Sequence, residues 1–191
     1  MRTFLREILW PILLAVVIFL LLQTTVQSFE IHLPSMEPNI HEGQRILVSK
    51  ITYRCREPQR GEVIILRPPR NPEGTPYIKR IIGLPGETIE VKTGVVYVNG
   101  SPLDEPYTKE QPSYTFGPQK IPENEYFVLG DNRNNSNDSH NGWTVPRQNI
   151  IGKAWFSIWP LSEWGLVTNY SLQEQPTASL AEQATGVYIS S

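Results

Sequence analysis

Fifteen uncharged residues in a row, Ile8-Leu-Trp-Pro-Ile-Leu-Leu-Ala-Val-Val-Ile-Phe-Leu-Leu-Leu22, constrain this chain more than any other feature. Adding Gln23 to Val26 gives 19 residues, close to what a helix needs to cross a hydrocarbon core. Pro11 falls in the first turn, where its missing N–H costs little. Arg2 and Arg6 precede the run and no basic residue follows it closely, which predicts a cytoplasmic N-terminus and a remainder on the trans side. A cleavable signal peptide, with small residues near Val26-Gln-Ser28, is the alternative and exports the same part of the chain.

The chain holds 13 Gly and 17 Pro, and beyond the run they punctuate short stretches rich in Val, Ile and Tyr. This predicts a mainly β domain of antiparallel sheets with many turns, preceded by one N-terminal transmembrane helix. The expected division is 1–7 cytoplasmic N-terminus, 8–28 transmembrane anchor, 29–170 catalytic β domain and 171–191 disordered tail. Strands are expected over 45–53, 62–66, 77–82, 88–91, 95–98, 126–129 and 150–159. The last of these closes the sheet, and residues 101–125 wrap the domain as an extended excursion. Thr93-Gly94 and Asn99-Gly100 are turn signals. Among the aromatics of 155–164, at least two are expected in the core, with an interfacial belt of Trp155, Phe156, Trp159 and Trp164 as the alternative.

A net charge of −2 gives no sign of a nucleic-acid surface. The single cysteine, Cys55, excludes an intramolecular disulfide, and three scattered histidines have no ligand-like spacing, so neither a metal nor a cofactor is expected.

Ser35, in Leu33-Pro-Ser-Met-Glu-Pro38, is a candidate nucleophile that needs an adjacent base. A lysine serves only if its pKa falls from about 10.4 toward 7 or 8, which costs the fold about 3 kcal/mol. In a strand over 77–82, Lys79 shares a face with Tyr77 and Ile81, whereas Arg80 points the other way and needs an anion such as Asp131. Lys50 fits the same demand, an edge-strand lysine in water is the plain alternative for Lys79, and His140 with Asp131 or Asp138 offers a Ser-His-Asp arrangement. Spacing alone leaves these open.

Taken in order, the motifs resemble those of the type I signal peptidases over roughly residues 5–165. Ser35-Met36-Glu37-Pro38 is similar to that family's S-M-x-P, and Gly43 to Lys50 with Arg60 to Ile65 to its next block. Lys79-Arg-Ile-Ile-Gly-Leu-Pro-Gly-Glu87 is similar to its general-base motif, and Gly130 to Ser139 to its last. The resemblance implies a membrane-bound serine endopeptidase that removes signal peptides from preproteins after Ala-x-Ala-like sites. It implies Ser35 as nucleophile, Lys79 as general base, Ser136 as the hydroxyl orienting the lysine, and Arg80, Asp131 and Asp138 as braces. His140 stands where an arginine is usual and loses its catalytic candidacy. Phe29, Ile31, Met36, Ile40, Tyr77 and Ile78 match apolar substrate-pocket positions. Leu33 departs from the serine or glycine common two residues before the nucleophile, which puts the second oxyanion donor in question. The partners implied are preprotein signal peptides and the lipid bilayer, in a bacterial inner membrane or a thylakoid.

Two other readings compete. Self-cleaving repressors share Ser/Lys chemistry but lack an anchor, and a silent tethered β domain would bind exported chains without cutting them.

Overall fold

The computed structural model describes residues 2–170 and 172. The expectation of a disordered tail concerns residues that, Leu172 apart, lie outside those described.

Helix α1 covers Arg2–Thr25 and its stretch Arg6–Thr25 is long and apolar enough to span a membrane. From Ile8 to Leu20 its described apolar side chains are exposed, as a helix that buries its surface in lipid requires. The helix stops at Thr25, so Val26 to Ser28, grouped with the anchor in the sequence reading, already belong to a strand.

The strands are β1 (Val26–Glu30), β2 (Arg45–Ser49), β3 (Val63–Leu66), β4 (Tyr77–Gly83), β5 (Thr88–Lys92), β6 (Val95–Val98), β7 (Ser101–Pro102), β8 (Phe116–Lys120), β9 (Glu125–Leu129), β10 (Val145–Pro146), β11 (Ile150–Trp159) and β12 (Gly165–Leu166). The larger sheet runs β1-β2-β11-β3-β4-β9-β10 with β12 on β11, and the smaller runs β7-β6-β5-β8. Every pairing is antiparallel. The domain is therefore mainly β, as its alternating pattern and turn residues dictate.

Four local expectations change. The strand expected over 45–53 ends at Ser49, and Thr52–Cys55 forms one helical turn whose Thr52 hydroxyl donates to Ser49 Oγ (2.8 Å). Residues 101–125 are not a simple excursion, because β7 and β8 border the β5–β6 hairpin. Strand β11 lies inside the sheet, between β2 and β3, and register shifts along it let one ten-residue strand serve both neighbours. Trp155, Trp159 and Trp164 are exposed, with Leu161 and Leu166 beside them, so these tryptophans are not core residues.

Three apolar clusters hold the domain. One joins Met36, Ile40, Ile46, Val48, Val63, Ile65 and Ile78; another fills the space between the sheets with Ile82, Ile89, Phe127 and Leu129; the third contains Ile64, Ile81, Val128 and Trp143. Strand β4 contributes to all three through Ile78, Ile82 and Ile81, so its polar residues Lys79 and Arg80 are held in place by packing on both faces.

Candidate active site

Ser35 is the middle residue of a single 3-10 turn, Pro34–Met36. Leu33 before it is extended (φ −134°, ψ 145°), Pro34 opens the turn without a wasted donor, and the Glu37 N–H closes it on the Pro34 carbonyl (3.2 Å). Met36, fully buried, pins the turn to the core. As a first-turn amide the Ser35 N–H has no acceptor within the turn.

The loop after β9 clamps the turn from the other side. The Asn132 N–H donates to the Ser35 carbonyl (3.0 Å), and Asn132 Nδ2 donates to the Pro34 carbonyl (3.1 Å). This approach requires Gly130, where a Cβ would stand 2.4 Å from the Ser35 carbonyl oxygen and 2.4 Å from Ser136 Oγ.

Lys79, the third residue of β4, is 2 % exposed. Its Nζ donates to Ser35 Oγ (2.8 Å) and to the Ile78 carbonyl (2.8 Å), with the Tyr77 ring centroid 5.3 Å away. Burial brings its pKa down to about 8, against the opposing fields of Asp138 and Asp131. Lys50 lines a separate cavity away from Ser35.

Arg80, on the opposite face, makes a forked pair with Asp131: Nε to Oδ1 at 2.8 Å and Nη2 to Oδ2 at 2.7 Å, both side chains fully buried. Its Nη1 donates to the Gly61 and Thr168 carbonyls (2.8 and 3.2 Å), and its guanidinium lies 4.3 Å from the Tyr107 ring centroid. Asn39 Nδ2 also donates to Asp131 (2.9 Å). Burial raises the Asp131 pKa above the ordinary carboxylate value, against the pull of Arg80 and Arg133.

Asp138 accepts from the Gly130 N–H (2.9 Å) and the His140 N–H (3.2 Å), and its Oδ1 lies 2.6 Å from His140 Nδ1. The His140 ring stacks on Tyr114 at 4.2 Å. Ser136 shares a cavity with Ser35 and Lys79, yet among the described residues its buried hydroxyl has no hydrogen-bond partner. The lysine-orienting contact expected of Ser136 is therefore not formed here, and Nζ donates to Ser35 Oγ and the Ile78 carbonyl.

Gly130, Asn132, Arg133 and Asn39 were not singled out from the sequence. Arg133 pairs with Glu105 (2.6 and 2.7 Å) and donates to the Gly130 carbonyl (3.0 Å), which stiffens the clamp. The first three lie in the Gly130 to Ser139 motif, from which only Asp131, Ser136 and Asp138 were given roles; Asn39 had no sequence signal.

Two cavities flank Ser35 and Lys79. The apolar one, about 440 Å³, runs between 28–33 and 75–79 and is lined by Phe29, Ile31, Leu33, Tyr77 and Ile78, with Ser35 and Lys79 at its end. Residues 77–79 pair with β3 on one side, but β9 joins β4 only from Arg80 onward, so their other edge is unpaired within the sheet. Met36 and Ile40 lie behind the cavity in the core and do not line it. The polar cavity, about 410 Å³, is walled by Asn134, Asn135, Ser136, Asn137 and His140. Among the described residues no group of three His, Cys, Asp or Glu is placed to hold a metal.

A family model described as signal peptidase, peptidase S26, matches residues 4–159. The chain is 41 % identical to a probable signal peptidase I-1 of Synechocystis sp. over 175 residues, covering 88 % of this chain and 89 % of that protein. It is 45 % identical to a probable signal peptidase I-2 of the same organism over 144 residues, which span 73 % of this chain and 66 % of that protein. A crystal structure of a signal peptidase I from Enterococcus faecalis V583 is 36 % identical, with a TM-score of 0.45, and the match covers 51 % of this chain and 97 % of that one.

Proposed function

The chain belongs to the signal peptidase family, peptidase S26, and on that premise we propose that it cuts signal peptides from exported preproteins after Ala-x-Ala-like sites through an acyl-enzyme on Ser35. The observation that carries the reading is the 2.8 Å separation of Lys79 Nζ and Ser35 Oγ, both side chains buried at the meeting of two cavities.

Neutral Lys79 accepts the Ser35 proton as Oγ bonds to the scissile carbonyl carbon. The tetrahedral intermediate collapses, the C–N bond breaks, and the lysine ammonium returns the proton to the departing amine. Water then enters, gives a proton to Lys79, and attacks the ester; the acid leaves and Ser35 recovers its proton. The Ser35 N–H serves the oxyanion, and Leu33 has no hydroxyl to add a second donor, a contact worth about 3 kcal/mol elsewhere. A pKa near 8 suits this base, because a useful fraction is neutral at physiological pH while proton affinity remains high.

The signal peptide's C-terminal end adds as a strand to the free edge of 77–79, with its side chains directed into the apolar cavity. Phe29, Ile31, Tyr77 and Ile78 narrow that cavity and select small residues. Arg80, Asp131 and Asp138 hold β4 and the clamp loop in register. Helix α1 anchors the chain, with its N-terminus in the cytoplasm and the catalytic domain on the trans side.

The test is cleavage of an Ala-x-Ala preprotein by the purified chain and its Ser35→Ala, Lys79→Ala and Lys50→Ala variants. The first two lose activity and the third keeps it. Persistent cleavage in Ser35→Ala or Lys79→Ala overturns the mechanism; a folded wild type that binds the preprotein without cutting overturns the enzyme.

A further inference from the structure

A third cavity, about 310 Å³, lies apart from the catalytic pair and is lined by Gln27, Lys50, Tyr53, Arg54, Arg67, Arg147, Ile150 and Ile151. Four cations thus meet in one place in a chain of net charge −2, and no carboxylate lines the cavity. Among the described residues Lys50, Arg54 and Arg67 have no carboxylate partner, and only Arg147 is paired, to the exposed Glu57 (3.0 Å).

The topology places this cavity at the end of the apolar helix. The start of β1, the end of β2, the start of β11 and the end of β3 form one end of the sheet, since Val26 pairs with Ser49, Lys153 with Ser49 and Ile150 with Leu66. The Lys50 N–H donates to the carbonyl of Thr25, the last residue of α1 (2.8 Å). When α1 spans a bilayer, Lys50 and its neighbours lie at the depth of the headgroups. Gathering unpaired cations there is costly unless an anion neutralises them, and each basic residue near an anionic surface gains about 1 kcal/mol.

We propose that this cavity binds the phosphate of an anionic phospholipid in the leaflet where α1 ends. The ligand chemistry is a phosphodiester, recognised by Arg54, Arg67 and Lys50 around a floor of Tyr53 and Ile150. Its consequence is positional. Strand β1 runs from the cavity toward the Ser35 turn, so fixing one end of the sheet to the headgroups sets the height of the catalytic pair above the bilayer.

The proposal rests on α1 being an anchor, and the experiment separates the two. The full chain is reconstituted in phosphatidylcholine discs with and without phosphatidylglycerol, and thermal unfolding is followed. The wild type gains about 3 °C from the anionic lipid. Lys50→Gln/Arg54→Gln/Arg67→Gln loses the gain while unfolding normally in neutral discs and floating with vesicles. The control Arg70→Gln/Lys92→Gln/Lys120→Gln keeps it. An equal gain in the cavity variant, or equal losses in both variants, overturns the proposal. So does a gain reproduced by glycerol phosphate in neutral discs, which would make the occupant a free phosphate ester. A wild type that gains nothing from the anionic lipid, with a raised KM of the cavity variant for a preprotein carrying acidic residues, would overturn the proposal and assign the cavity to substrate. Failure of the wild type to float with vesicles would overturn the anchor and this proposal together, leaving the Ser35 and Lys79 test intact.

Discussion

Lys79 Nζ and Ser35 Oγ, 44 residues apart in the chain, are hydrogen-bonded at 2.8 Å, and the lysine has 2 % of its surface exposed. Burial sets the titration of that lysine near 8. Cleavage at saturating substrate should rise with pH and level off above an apparent pKa near 8, since the neutral amine is the active form. A profile flat from pH 6 to about 10 would disconnect Lys79 from the chemistry.

The same burial has a cost in stability. The unfolded lysine binds its proton up to the ordinary value of 10.5, and the folded one releases it near 8. Between those values the unfolded state holds more protons, so stability from this group is complete above 10.5 and is lost as pH falls through 8. Lys79→Met should therefore be more stable than wild type at pH 7, by as much as about 3 kcal/mol, with the advantage shrinking at alkaline pH. Urea unfolding at pH 7 and pH 10 measures the difference.

Gly130→Ala would press a methyl carbon to 2.4 Å from the Ser35 carbonyl and Ser136 Oγ. The turn carrying Ser35 must shift, and misplacement by about 1 Å costs about 100-fold in rate. A fall in kcat of this order, with KM nearly unchanged, is the expected result. Undiminished kcat would mean that the clamp does not set the nucleophile.

Removing Asp131 leaves the fully buried Arg80 guanidinium without its counter-charge. Asp131→Asn should destabilise the domain by about 3–5 kcal/mol in urea unfolding. A loss under about 1 kcal/mol would show that the Gly61 and Thr168 carbonyls suffice.

Leu33 is extended, exposed and borders both cavities at the dyad. On the proposed mechanism Leu33→Ser supplies the missing second oxyanion donor and should raise kcat by about tenfold or more. An unchanged kcat would show that another donor already serves that position.

Much of this was legible in the chain. Uncharged residues over 8–22 form an apolar helix long enough to span a membrane, and Thr93-Gly94 and Asn99-Gly100 turn the hairpins of the smaller sheet with φ values of 49°, 78°, 52° and 84°. Alternation along β4 put Lys79 and Arg80 on opposite faces, and Arg80 meets Asp131 as that alternation requires. Residues 101–125 misled because Pro and Glu obscure the two short strands they contain, whose existence depends on pairing with β5 and β6. The tryptophans of β11 and its neighbour misled because hydrophobicity measures the cost of water and does not say whether protein or lipid relieves it.

The sequence by itself determined the apolar helix, the hairpin turns, the faces of β4 and the family, all properties of neighbouring residues or of ordered motifs. Residue chemistry and spacing left Lys50 and Lys79 open; the ordered motifs pointed to Lys79, and the tertiary structure set its Nζ against Ser35. Lys50 and Lys79 are chemically identical, and a lysine loses its proton near neutral pH only when distant segments close over it and exclude water. Here that enclosure is built by the Ser35 turn, the loop after β9 and the packing on both faces of β4, while Lys50 stands in a separate cavity beside the end of α1.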